Sequence, residues 1–212
     1  MHETPLHHSP RQHRKALVAQ AAFDVFCQHG IEGTTMVMVA DAAHVGVASV
    51  YRYYETKFDL AMASALWVWD TRIHSCLPQT FSPDQSGFDR IRALLSVILT
   101  LMEKDADVLR FLEYFDNFVV SQHIPADKLG EYNLSLEKAK PLVIEAFMKG
   151  QQDGSIRQDR DGMEFYYVTA RTLMSLAQKL ILRGHVVATD DIIGAQTQVE
   201  FVIDMAMHYL KP

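Results

Sequence analysis

TTMVMVADAAHVGVASVYRYYETKFDL, residues 34–60, contains two short apolar-periodic runs separated by a tight break. Thr34 and Thr35 are hydroxyl residues just ahead of Met36, Val39, Ala40 and Ala43, whose spacing puts them on one face of a helix. That helix must end near His44, because Gly46 follows and a second run, Val47, Val50, Tyr51 and Tyr54, starts at once. Two short helices joined by so tight a turn have to cross. Crossing projects the second, roughly Val47 to Tyr53, away from the body, where it fits a major groove about 12 Å wide. The reading is a helix-turn-helix followed by a further helix, and hence a sequence-specific DNA-binding protein.

From Arg14 to Leu60 the chain resembles the DNA-binding domain of TetR-family transcriptional regulators. The resemblance is carried by Ala21-Ala22-Phe23 and Phe26, Gly30, Thr34-Thr35, Val39-Ala40, Val45, Tyr51, Tyr54 and Lys57. The family usually has Gly where this chain has His44, Ser where it has Gly46, and often Gly at Ala48, and Val37 and Met38 replace commonly polar residues. Gly46 can still serve as a helix N-cap, whereas His44 puts an L-residue where φ > 0 is otherwise supplied freely by Gly. The resemblance implies phosphate contacts from Thr35, Ser49, Tyr51, Tyr53 and Lys57, each of which has a suitable donor. Tyr51 has an alternative role, packing between the helices. Direct base readout falls to Val37, Val47, Ala48 and Arg52. Arg52 can pair with guanine in the bidentate mode, and the small apolar residues can meet thymine methyls.

The formal net charge of -6, from 26 acidic and 20 basic side chains, argues against a nucleic-acid partner on bulk electrostatics alone. What favours one is placement. Arg14, Lys15, Arg52 and Lys57 fall at the ends of expected helices, where a few cations and helix N-termini can hold phosphates. A modest non-specific affinity with a shallow salt dependence follows. Cys27 lies on a strongly apolar stretch and Cys76 just before Pro78, and both read as structural thiols. No apolar run approaches the roughly 20 residues needed to span a bilayer, so the expectation is a cytoplasmic protein with no membrane partner.

With 212 residues, 49% of them hydrophobic, the chain can bury a core much larger than the binding module. The expected organisation is a flexible arm over 1–12, the helix-turn-helix DNA-binding domain over 13–60, and a ligand-binding and dimerisation domain over 61–212. The first helix spans about 13–29 and ends at Gly30, and a fourth starts at Thr56-Lys57 and runs through Trp67 and Trp69 toward Cys76. Further helices are expected at about 88–104, 106–121, 127–153, 160–184 and 190–210. Pro141 either starts or kinks its helix, and a kink or break near Lys140 is preferred. The stretch from Phe147 to Arg157, with Asp159 and Asp161, resembles the link before the last two helices of many family members. The fold class is therefore all-α: a three-helix head and a C-terminal helical bundle, about nine helices in total.

The last two helices carry long apolar stripes that include Tyr166, Ala170, Leu173, Ala177, Val199, Val202 and Ala206. Because helix-turn-helix proteins read paired half-sites, and because the family pairs these helices with their copies in a four-helix bundle, this set is the expected homodimer interface. Phe111, Tyr114, Phe115 and Phe118 recur at i, i+3, i+4 and i+7, with Trp67, Trp69, Tyr132 and Phe147 nearby if the helices pack as in the family. A pocket lined by Trp67, Phe111, Tyr114, Phe115, Phe118 and Phe147 would suit a small hydrophobic ligand, and plain core packing is the competing reading.

These features together give a ligand-responsive transcriptional regulator, most simply a repressor released from a pseudo-palindromic double-stranded DNA operator by a small hydrophobic molecule. No cofactor is expected. One alternative keeps the fold as a protein-interaction partner without operator binding. The other is an all-α enzyme, but paired Glu-x-x-His motifs, Gly-rich phosphate loops, Gly-x-Ser-x-Gly elbows and Cys-x-x-Cys pairs do not occur. Glu200, Asp204 and His208, at i, i+4 and i+8, read as a solvated helix face.

Overall fold

The computed structural model describes residues 10–184, 186 and 188–212. Residues 1–9 of the expected arm lie outside the described residues. Its last three residues instead form the start of α1 (Pro10–Gly33). Pro at the first turn of a helix forfeits no intrahelical hydrogen bond, which is why α1 can begin at Pro10.

α1 buries Val18, Ala19, Ala22, Phe23, Val25 and Phe26 along one face. It is interrupted at Gly30, whose φ of 69° is one that L-residues rarely adopt. The Thr34 hydroxyl then donates to the Gly30 carbonyl oxygen at 2.7 Å and holds the turn into α2 (Met36–Ala42). Thr35 caps α2, its hydroxyl oxygen accepting from Met38 N at 3.2 Å. α3 (Val47–Tyr53) follows at once. α4 (Lys57–Val68) starts with a reciprocal capping box, in which the Thr56 hydroxyl accepts from Asp59 N and the Asp59 carboxylate accepts from Thr56 N.

The turn between α2 and α3 shows how the chain manages without glycine. His44 N–H donates to Asp41 O and Val45 N–H to Ala40 O, the paired bonds of a Schellman motif, with His44 at φ 53°. The same motif, again with histidine in the left-handed position, ends α7 (Ala106–Ser121) at His123.

Past Val68 the α4 helix widens into a π turn over Trp69–Ile73 and tightens into a 3-10 turn over His74–Cys76. The remaining helices are α5 (Gly87–Leu95), α6 (Val97–Lys104), α8 (Gly130–Glu137), α9 (Lys140–Gln152), α10 (Gly162–Arg183) and α11 (Ala195–Leu210). No strand occurs among the described residues. Two of the expected long helices are divided. The break in 88–104 falls at Ser96, whose hydroxyl donates back to Arg92 O at 2.8 Å, a local bond that competes with helix continuation. The break in 127–153 precedes Lys140, and Pro141 sits in the first turn of α9, where its missing N–H costs nothing.

α1 packs against both α4 and α7, so the head is seated on the bundle. Phe23 and Phe26 of α1 meet Phe111 of α7 with ring centroids 5.3 and 6.1 Å apart, and the Ser64 hydroxyl of α4 donates to Ala19 O at 2.8 Å. Elsewhere α5 lies against α9 with backbone touching backbone. A Cβ added at Gly87 would fall 2.0 Å from Gly150 N. The same contact is tied by Gly87 N–H donating to the Asp153 carboxylate at 2.9 Å and Phe88 N–H to Ser155 Oγ at 3.2 Å.

Because the atom met is backbone and cannot rotate away, Gly87→Ala should destabilise the fold by about 3 kcal/mol. Chemical denaturation of the purified variant would read this, and a midpoint equal to that of the parent chain would contradict the α5–α9 contact. Relief of the left-handed strain at His44 works in the opposite direction. His44→Gly should leave the fold unchanged or stabilise it by up to about 1 kcal/mol, since the conformational gain is partly offset by the entropy of Gly.

Candidate functional site

α3 presents one face to the core and one to solvent. Val50 and, just past the helix, Tyr54 are buried, and the Tyr54 hydroxyl donates to Lys15 O at 2.9 Å. The opposite face carries Ala48, Tyr51 and Arg52, all exposed, with Tyr51 at 54%. Packing between the helices is thus done by Tyr54, and Tyr51 is left outside. Val47, Ser49 and Tyr53 are half-buried at the edges of the face. Arg52 donates to Ser49 Oγ at 3.3 Å and lies over the Tyr53 ring, 5.4 Å from its centroid. On α2 Val37 is exposed, as is the N-cap Thr35. Lys57 is half-buried, and its ammonium donates to Glu32 O at 2.9 Å.

A second feature is a cleft of about 370 Å³ in the bundle, bounded by the π turn, α5 to α10 and the residues between them. Its walls are mainly aliphatic, with Ile73, Leu95, Ile98, Leu112 and Leu173 among them. Polar groups gather at one part of it. Gln178, buried on α10, donates its amide to Asp116 Oδ2 at 3.3 Å. Tyr132 of α8 stands close enough to Asp116 for the two to repel when both are charged. Trp69 meets Tyr132 edge-on, with centroids 6.5 Å apart, and its Nε1 is buried without a hydrogen-bond partner of good geometry.

The arrangement of the head and the stretch that forms it decide the family. Residues 19–63 match the family model of bacterial regulatory proteins, tetR family. The N-terminal domain of this chain belongs to the tetR family. Solved structures agree over almost the whole length. A tetR-family bacterial regulatory protein from Rhodococcus RHA1 superposes with a TM-score of 0.67 at 17% identity, covering 93% of this chain and 97% of that one. The ketosteroid transcriptional regulator KstR2 of Mycobacterium tuberculosis gives 0.61 at 14% identity, over 94% and 95%. AibR, solved with isovaleryl coenzyme A and operator DNA, gives 0.57 at 18%, over 94% and 98%. At these identities the likeness is one of fold. Among curated proteins compared by sequence, none matches.

The bundle does not use the expected aromatic set as a pocket. Phe111 and Phe115 are fully buried, Phe118 and Phe147 nearly so. Phe111 packs on α1, Phe115 on Tyr132 at 4.9 Å, and Phe147 on Phe165 at 5.9 Å. Trp67 is half-buried beside Phe23, 5.6 Å away, with the Arg72 guanidinium over its ring 5.6 Å from the centroid, and Tyr114 is half-buried. None of the six lines the cleft. The reason is the orientation of α7, whose Phe111 turns toward α1 and Phe115 toward Tyr132 of α8, while Leu112 and Asp116 form the cleft wall. The residues that sequence reasoning missed, Asp116 and Gln178, did leave a signal: each interrupts an apolar stripe, Asp116 one turn after Leu112 and Gln178 one turn after Met174.

The stripes of α10 and α11 need a similar correction. Leu173, Ala177 and Val199 are buried in the chain's own core, and Tyr166 is buried with its hydroxyl donating to Leu136 O at 3.0 Å. Val202 and Ala206 are half-buried, and of the expected set Ala170 is exposed. The apolar side chains left outside are others, notably Phe201 at 66% and Met205 at 58% on α11 and Val168 at 60% on α10. The strongest periodicity marks the face a helix buries against its own chain, so these buried residues are not available to a partner.

The titrating groups are set by burial. Cys27 is half-buried against the Asp107 carbonyl, and its thiol is pushed up to about 12, chiefly by desolvation and then by Asp107, which makes it a poor nucleophile. His74 donates or accepts at Ser135 O, 3.1 Å away, and is held below its usual value, first by burial and then by Lys138. Asp204 is paired with Arg92 at 2.9 Å, and no group of three or more metal-ligating side chains occurs among the described residues. No helix among them is long and apolar enough to cross a membrane.

Asp116 faces the open cleft, yet the cleft walls withdraw enough water to push its carboxyl up to about 6, partly offset by the Gln178 hydrogen bond and reinforced by Glu113. A carboxyl raised in the folded state stabilises below its unfolded value and loses that contribution as pH rises through the folded value, here between about 4 and 6. Asp116→Asn should therefore melt above the parent chain at pH 7.5, with the difference vanishing by about pH 4. Thermal denaturation of both chains across that range checks it, and a difference independent of pH would refute the account.

Proposed function

We propose that this chain is a ligand-responsive, sequence-specific transcriptional repressor that binds a pseudo-palindromic operator as a homodimer and leaves it when a small, largely hydrophobic molecule enters the bundle. The observation that carries the DNA half is the exposed face of α3, where Ala48, Tyr51 and Arg52 stand clear of a helix anchored by Val50 and Tyr54. Residues 13–60 serve as the reading head and 61–212 as the ligand-binding and dimerisation region.

In this reading Arg52 reads guanine and Ala48 with Val47 and Val37 meet thymine methyls, while Thr35, Ser49, Tyr51, Tyr53 and Lys57 hold phosphates. Lys57 would exchange its Glu32 carbonyl for a phosphate oxygen. The dimer would form on the exposed α10–α11 surface around Val168, Phe201 and Met205, flanking the half-buried Val202 and Ala206. The cleft supports the ligand half, and it borders the π turn at Trp69 and Ile73, directly continuous with α4. A ligand that favours one arrangement of this turn would shift α4 and with it the spacing of the two α3 helices. AibR, solved with both isovaleryl coenzyme A and operator DNA, provides a precedent for joining the two activities in this fold.

Selection of bound duplexes from a random pool by the purified protein tests the reading. The expected result is enrichment of a two-fold related site with thymines beside a guanine, and absence of enrichment even at low salt overturns it. On the selected site, Arg52→Ala should cost roughly 1 to 3 kcal/mol and relax the guanine preference.

A further inference from the structure

The apolar cleft contains a carboxylate that pairs with no cation among the described residues. Asp116 accepts from the Gln178 amide at 3.3 Å, and none of the ion pairs among the described residues includes it. Gln178 is itself 5% exposed, so a buried polar side chain on α10 holds one oxygen of the carboxylate, which is exposed at the cleft and keeps further lone pairs. The charged neighbour on its own helix, Glu113, has the same sign. From α8, Tyr132 adds an aromatic ring and a hydroxyl, and Glu137 at the rim is already satisfied by Lys140 and by the Tyr167 hydroxyl. From α10, Arg171 also borders the cleft, two helical turns before Gln178, and does not pair with Asp116.

We propose that the cleft selects a lipophilic organic cation, a protonated amine on an apolar body, seated with its charge against Asp116 and the Tyr132 ring. The inference rests on the ligand-cleft reading above and names the chemistry of its occupant. An ammonium group supplies the counter-charge that none of the described residues provides, donates to the free lone pairs of the carboxylate, and is attracted by an aromatic face. The aliphatic walls take the remainder of the molecule. The direction in which Asp116 titrates agrees with this, because desolvation without a cation is what raises a carboxyl. A neutral molecule would leave that desolvation unrelieved, and a carboxylate-bearing one would be repelled from this part of the cleft and drawn to Arg171.

Three molecules of one shape separate these cases: 4-phenylbutylamine, 4-phenylbutanol and 4-phenylbutanoate, titrated calorimetrically into the full-length protein at pH 7.5. The amine should bind about tenfold or more tightly than the other two. Asp116→Asn, which keeps the shape and the Gln178 contact, should bring the amine down to the affinity of the alcohol. Equal binding of alcohol and amine, or an amine affinity unchanged in the variant, overturns the proposal while leaving the cleft as a ligand site. Preferential binding of the acid overturns it in favour of Arg171. If none of the three binds, the cleft reading fails and the proposal with it, whereas duplex selection reports on the DNA-binding reading independently.

Discussion

The aromatic seam between α1 and α7 is the contact on which the rest of the architecture depends. Phe23 and Phe26 from the head and Phe111 from the bundle are each buried to within 2% exposure and meet edge-on or stacked. Burying a phenylalanine side chain contributes roughly 1.5–3 kcal/mol, and each favourable ring pair about 0.5–1.5 kcal/mol more. Exposed ion pairs such as Arg92–Asp204 contribute at most about 1 kcal/mol. The seam therefore decides how head and bundle sit together, with the Ser64 hydroxyl bonding α4 to α1 across the same junction. With α1 committed to the bundle on one side and to α2 on the other, α4 is left as the element joining the helix-turn-helix to the cleft.

α7 has two tasks on adjoining faces. Its Phe111 supplies the seam, and Leu112 and Asp116 supply the cleft, so the helix that fastens the head also forms the wall a ligand would touch. The π turn lies at the other side of the same cleft. A π turn inserts one residue into the helical repeat and so replaces the regular i→i−4 bonds locally, an arrangement often retained at functional positions. Here it brings Trp69 and Ile73 to the cleft while α4 continues unbroken to the capping box at Thr56.

Net negative charge is compatible with the proposed DNA-reading role of α3, because groove recognition depends on where a few donors stand. Arg52 is exposed on the outer face of α3, while acidic residues such as Asp116 and Glu137 line the cleft of the bundle. The turn that aims α3 survives the loss of its usual glycine because the Schellman hydrogen bonds at His44 and Val45 satisfy the carbonyl ends of α2 whatever side chain occupies the left-handed position.

Helix starts and the helix-turn-helix were legible in the sequence because their signals are local. Thr35 and Thr56 cap from their own positions, Gly30 supplies a positive φ, and Val39, Ala40 and Val50 repeat at the spacing that buries one face. The all-α class followed from the same periodicity along the whole chain. Periodicity states that a face is buried and is silent about its partner. Phe111 and Phe115 could equally have lined a pocket or a seam, and Leu173 and Val199 a dimer or a core, until the packing of α1, α7, α10 and α11 assigned them. Asp116, Gln178 and Tyr132 lie far apart in the chain and become one polar cluster only through the crossing of α7, α8 and α10. The sequence alone determined the all-α class and the helix-turn-helix, whose information is carried within a few residues. The cleft and its charge were decided by tertiary structure, because they arise from the relative rotation of helices that no local spacing encodes.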